Sequence, residues 1–453
     1  MTLFRLLLPA SLVIFFLWKS YNSRIFLLGI PFLQVMGTSV FFEQIKLFTT
    51  PGRFGYSVNI LGWLFIIWVV YMGLLTRAKY KNITWHDLFG PPLVMPEEGL
   101  LIVLAGLWAF NIISSLYNAI DFAGVFLTGV QLGSMFLGYL LVRGIISNAT
   151  KRDIDRFLYT IILINAIAAI LHILDQGLHF PIYEGAPYNT EVFMGTLITR
   201  RFWFMPRFYF LSMAYVISRS KWNLISIAIL LITFTSAFFS YSRNIFIIYG
   251  CIITLALIIS AFKRNILRSL LRLVILMGTG IVLYWAISRF FPRELLYFIG
   301  RFQEFNYSPT ISAVPNFAVR LDDFNRTYEM LRNNHLFTGL GMATVITNPV
   351  VYYLTQWTAD ITWVAVLYRY GLIGIVLFAA IFLVFGMRTL ISYFQATSSG
   401  EEEYWLMFFL VIVGTVGESF VSWTIFDPRN YTLALWFLVF ITIRIGRTRG
   451  LLK

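Results

Sequence analysis

Charge is scarce in this chain: only 12% of its 453 residues are Asp, Glu, Lys or Arg. A soluble domain of that length needs far more charge to cover its surface, so a soluble globular fold is excluded. Cysteine is scarcer still. Cys251 stands alone, inside the apolar stretch 245–261, which rules out an internal disulfide and a thiolate metal cluster. The histidines, His86, His172, His179 and His335, are scattered with no metal-ligand spacing. The sequence has no phosphate-binding glycine loop, no HExxH helix and no nucleophile elbow. It shows no internal repeat at a fixed period.

What is present is apolar. Hydrophobic residues make up 59% of the chain and aromatics 18%, with 45 Phe, and the mean hydropathy is +0.77. Aromatics at this level suit a lipid-facing protein whose Trp and Tyr sit at the two interfaces. The net charge of +14 does not point to nucleic acid. Its basic residues gather in short loops between apolar runs, where they hold those loops in the cytoplasm and meet anionic lipid.

A bilayer core takes about 20 apolar residues per helix. The candidate spans are 2–18, 25–42, 58–75, 100–117, 122–142, 157–174, 202–217, 222–239, 245–261, 270–288, 360–386, 404–425 and 430–446. The expected fold is therefore all-α: one integral membrane domain over 1–453, a polytopic bundle of about 12–13 spans. Residues 289–358 form a large loop carrying short amphipathic helices. The run 6–18 lacks a small-residue cleavage site and reads as a retained first helix, or with 25–42 as a shallow hairpin.

The loops alternate in charge. One set holds Lys19 and Arg24, then Arg77, Lys79 and Lys81, then Arg143, Lys151, Arg152 and Arg156. It continues through Arg219 and Lys221, Lys263, Arg264, Arg268 and Arg272, then Arg388, and closes on Arg444, Arg447, Arg449 and Lys453. More than half of the 35 Lys and Arg lie there, so this side is expected to be cytoplasmic. The opposite loops, including 289–358, are expected to face the periplasm.

Those opposite loops hold arginines that topology does not require. In Ser240-Tyr241-Ser242-Arg243-Asn244 the turn is so short that Arg243 stays near membrane depth, which is costly unless the charge is paired or solvated. It either snorkels to headgroups or grips a phosphate or carboxylate at two points. Arg200, Arg201 and Arg207 crowd into Thr199-Arg200-Arg201-Phe202-Trp203-Phe204-Met205-Pro206-Arg207, expected to open another outward helix end. They bind either phospholipid or a substrate anion. Arg207, just after Pro206 at a helix start, is the favoured inward-facing ligand.

Apolar positions 321, 324, 328 and 331 recur at helical spacing, so 316–341 reads as an amphipathic helix on the membrane, ended by Gly339 and Gly341. Arg320 within it either ion-pairs locally with Asp323 or contacts a ligand. Asp360 opens the next span as an N-cap or as a functional acid. Arg369, deeper in that span, is expected to pair with Glu418 on its neighbour.

Three of these features, taken in order, resemble the O-antigen polymerase and ligase superfamily of bacterial inner-membrane glycosyltransferases. They are the outward Ser-x-Ser-Arg turn at 240–243, Arg320 followed by Gly339-Leu340-Gly341, and a polar residue, Asp360, eleven before Gly371-Leu372-Ile373-Gly374. The topological likeness covers nearly the whole chain, though the motifs are short and degenerate.

The resemblance implies a metal-independent transferase without cofactors, working at the periplasmic face of the inner membrane. Its donor and acceptor would be glycans linked to undecaprenyl diphosphate, and a chain-length co-polymerase is a candidate partner. Arg243 and one of Arg200, Arg201 or Arg207 match the family's two helix-borne arginines, with Arg320 as a loop contact. They would steady the leaving diphosphate. Ligases usually carry His where this chain has Asp360, which leans the expectation towards a polymerase of O-antigen or exopolysaccharide repeat units. A ligase acting on a lipid core is the neighbouring alternative. An anionic-solute transporter is the rival from another class, disfavoured because charges cluster at one face and no repeat appears.

Overall fold

The computed structural model describes residues 2–30, 52–79, 83–85, 88, 96–117, 125–126, 137–138, 140–146, 148–178, 188–193, 196–201, 206–263, 266–307, 315–341 and 362–420. The described residues are overwhelmingly helical, as the hydropathy pattern requires. The helices are α1 (Thr2–Ser20), α2 (Gly52–Lys79), α3 (Pro96–Tyr117), α4 (Lys151–Gln176), α5 (Pro206–Ser218), α6 (Leu224–Phe239), α7 (Arg243–Lys263), α8 (Ile266–Phe290), α9 (Pro292–Tyr307), α10 (Pro315–Leu331), α11 (Thr362–Gln395) and α12 (Ser399–Ser419). A 3-10 turn, Arg24–Leu28, follows α1. Expected spans over 31–42 and 430–446, and most of 122–142, lie outside the described residues.

Four of these helices are long and apolar enough to cross a membrane: Lys151–Gln176, Arg243–Lys263, Ile266–Phe290 and Trp363–Gln395. Helix α8 makes the case best. Only 6% of its apolar window is buried, and Leu267, Leu271, Val274, Met277, Ile281 and Trp285 all lie exposed. In water such a face would drive aggregation, whereas hydrocarbon accepts it.

The bundle centre follows helical spacing. On α7 the buried positions are Ile245, Ile248, Tyr249, Ile252, Ala256 and Ile259, one stripe at a 3.6-residue period. That stripe meets α12 where small residues let the backbones approach. A Cβ on Gly414 would stand 3.0 Å from Ile252, and one on Gly417 would stand 3.1 Å from Ile248. The 3-10 turn is anchored by Phe26, whose ring meets Phe157 of α4 edge-on at 5.7 Å.

Capping chemistry fixes two helix starts. Thr150 and Asp153 form a reciprocal capping box at the head of α4. The Asn223 side chain accepts from the Ser226 amide at the head of α6.

Basic loops from distant parts of the chain converge on one end of the bundle. Arg219 pairs with Glu403 at 2.9 Å, and Lys263 with Glu402 at 3.4 Å. Arg272 donates to the carbonyls of Arg219 at 2.6 Å and Ser220 at 2.9 Å. Lys263 also donates to the carbonyls of Tyr393 and Ala396. The ends of α5, α7, α8, α11 and α12 that carry these groups are thus assembled together, as the charge alternation predicts.

Two local expectations are corrected. The segment 199–207 opens its helix only at Pro206, so Arg200 and Arg201 precede the helix end and do not belong to it. Thr196–Arg201 is a strand, β2, paired antiparallel with β1 (Tyr188–Phe193), a small ribbon in an otherwise helical fold. The β-branched residues Thr190, Val192, Thr196, Ile198 and Thr199 suit a strand better than a helix. The amphipathic segment 316–341 is helical only to Leu331; residues 332–338 are turns. Asn333, Asn334 and His335 lower helix propensity at that point.

Candidate functional site

At the end opposite the basic loops, α6 runs into α7 through Ser240-Tyr241-Ser242. The Ser240 hydroxyl donates to the Ala237 carbonyl at 2.6 Å and accepts from the Ser242 amide at 3.3 Å, closing the helix end. Tyr241 has φ of +51°, alone among the described non-glycine residues in that region. Left-handed backbone is common just past a helix, but Gly or Asn normally takes it. A tyrosine there costs about 1–3 kcal/mol and persists only where packing over-determines it. That packing is visible. Tyr241 is 1% exposed, and its ring meets Tyr297 edge-on at 5.0 Å.

The turn delivers Arg243 as the first residue of α7, only 5% exposed. Its Nη1 donates to the backbone carbonyl of Arg301. Arg301 sits on α9, with its guanidinium 6.0 Å from the Tyr297 ring centre. Helix α9 is held there by aromatics: Phe298 packs against Phe238 at 5.1 Å and Phe246 at 4.8 Å, and Phe291 against Phe239 at 5.0 Å. The amphipathic spacing of Leu295, Phe298 and Phe302 is the signal in the sequence that would have marked this helix. The helix brings to Arg243 the backbone of Arg301, one of the arginines in 289–358 that topology does not require; the pairing itself is tertiary and has no local signal.

A second feature lies on the glycine motifs. Helix α11 breaks at Gly371, where φ is 62° and ψ is −160°. A break about 13 Å into an apolar helix frees backbone groups that hydrocarbon cannot satisfy. Residues 336–341 satisfy them. The amides of Leu340 and Gly341 donate to the carbonyls of Tyr368 at 2.8 Å and Arg369 at 3.2 Å, and those of Leu372 and Ile373 donate to Leu336 at 2.9 Å and Phe337 at 3.3 Å. The approach admits no side chain. A Cβ on Gly371 would lie 2.3 Å from the Phe337 backbone, and one on Gly339 would lie 2.4 Å from that of Arg369. Asn111 of α3 donates to the Arg369 carbonyl at 3.0 Å. The segment after α10 is therefore threaded into the bundle between α3 and the two halves of α11.

Buried polar groups also occur on α4, α6, α11 and α12. His172 Nδ1 and Ser236 Oγ lie 2.8 Å apart, and Asp175, Arg369 and Glu418 are all buried. The start of α11 is fastened to the end of α12 by Trp363 Nε1 donating to Ser419 Oγ at 2.9 Å.

The other expected site residues are placed as follows. Arg207 is the second residue of α5, after Pro206 as the sequence predicts. Arg200 and Arg201 are the last residues of β2, opposite Asn189 and Tyr188, and Glu191 on β1 faces Ile198. Arg320 lies in the second turn of α10. Arg326 pairs with Asp322 at 2.6 Å on α10, and Arg332 just after it pairs with Glu329 at 2.7 Å. Asp360 lies outside the described residues. No His, Cys, Asp and Glu cluster suited to a metal occurs among the described residues.

No protein-family model matches this chain, and no curated protein matches it significantly.

Proposed function

We propose that this chain is an inner-membrane glycosyltransferase that polymerises oligosaccharide repeat units carried on undecaprenyl diphosphate, with its site facing the periplasm. The observation that carries the reading is the buried Arg243 guanidinium, delivered by the strained Tyr241 turn and hydrogen-bonded to the backbone carbonyl of Arg301. A fixed guanidinium at a bundle end favours an anion, its planar fork suits a diphosphate, and Arg301 is a further cation brought near by that backbone contact. Arg207, Arg200, Arg201 and Arg320 remain candidate contacts from the neighbouring outer segments.

In this reading the acceptor sugar hydroxyl attacks the anomeric carbon of the donor. A new glycosidic C–O bond forms, and the bond from that carbon to the diphosphate oxygen breaks. The electron pair leaves with the polyprenyl diphosphate, whose charge Arg243 and Arg301 neutralise. The acceptor proton passes to a carboxylate, for which Asp360 is the candidate. No metal or cofactor is needed.

A broken helix such as α11 also belongs to the transporter alternative. Here the freed backbone groups are taken up by residues 336–341, and the arginine pair lies at one end of the bundle, which favours the transferase. Ligase activity differs only in the acceptor. Purified protein supplied with a lipid-linked repeat unit separates the readings: a ladder of products is expected. A single transfer to lipid core would indicate a ligase, and unchanged donor would overturn the proposal.

A further inference from the structure

A cavity of about 330 Å³ opens at the basic end of the bundle, at the other end of α6 and α7 from Arg243. One part of its lining is apolar and aromatic, made by Tyr159 of α4, Tyr215 of α5, and Ile225 and Ile229 of α6, with the Ser226 hydroxyl beside them. Tyr159 and Ile225 are 41% and 52% exposed on the flank that would meet lipid. Its rim is polar and cationic, formed by the α5–α6 loop with Arg219, Ser220, Lys221 and Asn223.

That loop is built rather than loose. Glu403 takes the Arg219 guanidinium at 2.9 Å and the Ser220 amide at 2.7 Å. From behind, Arg272 holds the Arg219 and Ser220 carbonyls. The Arg219 guanidinium stacks over Tyr215 at 4.1 Å. The carboxylates facing the site are Glu403 and Asp155, and Asp155 lies within electrostatic reach of Lys151, Arg219 and Glu403. Against these two stand Arg219, Lys221, Arg272 and Lys151, so the rim keeps a positive excess. The exposed Lys221 stands at its mouth.

We propose that this cavity seats the phosphodiester head group of one anionic phospholipid. The phosphate lies at the Arg219–Lys221 rim, and the glycerol and first acyl carbons run along Tyr159, Ile225 and Ile229. An apolar wall, exposed at Tyr159 and Ile225, beside a cationic rim matches an amphiphile better than a soluble anion. Basic pockets between helices at such an interface recognise phosphate head groups through these forces.

The test is native mass spectrometry of the full chain in uncharged detergent, titrated with phosphatidylglycerol or phosphatidylcholine. One phosphatidylglycerol should remain bound where phosphatidylcholine is stripped. Lys221→Glu should weaken that adduct by about tenfold or more. Arg268→Glu makes the same charge change on the exposed face of α8, outside the cavity, and should weaken it less than about threefold. Lys221→Gln serves if the Glu variant elutes as aggregate. Equal retention of both lipids, or equal loss in the two Glu variants, would overturn the proposal. Displacement of the lipid by millimolar inorganic phosphate would also overturn it, reassigning the rim to a soluble anion.

Discussion

Arg243, the first residue of α7, donates a hydrogen bond to the backbone carbonyl of Arg301, 58 positions further on in α9. The contact joins a short transmembrane turn to an amphipathic helix of the following segment. It exists because three phenylalanines of α6 and α7, Phe238, Phe239 and Phe246, receive Phe291 and Phe298. The position of Arg301 is thus a packing consequence, and substitutions that loosen α9 should reach the site without touching an arginine. Phe298→Ala removes the shared ring and should cost about 3–5 kcal/mol of stability if the site cannot collapse. Thermal unfolding in detergent gives the stability. Activity at a temperature where the variant stays folded should fall more than the folded fraction does.

Gly371→Ala is expected to be among the most damaging single-methyl changes in the chain. Its φ of 62° disfavours any side chain, and the added Cβ would meet the Phe337 backbone at 2.3 Å. A loss of at least about 1–3 kcal/mol follows, with the threaded segment 332–341 released first. Limited proteolysis reads this out: cleavage near His335 should appear in the variant before the bundle unfolds. Gly278 on α8 provides the control. A Cβ there meets nothing within 4 Å, so Gly278→Ala should be silent.

Much of this was legible in the sequence, and the limits have physical causes. Hydropathy located α4, α6, α7, α8 and the greater part of α11 because a span must be apolar whatever its neighbours are. Charge alternation foretold that Arg219, Lys263 and Arg272 would share one end. The glycines at 339, 341 and 371 stand out in the sequence as motifs. Their meaning, two distant backbones closing each other's hydrogen bonds, is tertiary and leaves no local trace. Tyr241 is harder still, since its left-handed backbone contradicts its residue type and is sustained by Tyr297, which stands 56 residues later. The strand at Thr196–Arg201 has no clean alternation of polar and apolar residues; its β-branched Thr196, Ile198 and Thr199 are the weak local trace it leaves.

The Asp360 carboxylate separates two roles. If it only caps α11, Asp360→Asn should be nearly silent, since Asn caps as well as Asp. If it accepts the acceptor's proton, the Asn variant should abolish polymer while lipid-linked donor still binds. The account expects the second result in a complementation assay scored for chain length. Full-length polymer would remove Asp360 from the mechanism and turn attention to Glu191 on β1.

Sidedness follows from the basic end. In a Cys251→Ala background, a cysteine at Thr310 should react with an impermeant thiol reagent in intact cells, and one at Lys221 only after the inner membrane is opened. The reverse pattern would invert the orientation and place the arginine pair in the cytoplasm.

The most direct measurement concerns Arg243 itself. Release of undecaprenyl diphosphate is followed alongside linkage formation, using purified wild-type protein and Arg243→Lys. Lysine keeps the charge but loses the two-point grip. The account predicts one diphosphate released per linkage by the wild type. It predicts a fall of about 30- to 1000-fold in the folded variant, from the roughly 2–4 kcal/mol that one such contact supplies to a transition state. A variant that releases diphosphate at the wild-type rate would contradict it, and Arg243 would then be an arginine that only snorkels to the headgroups.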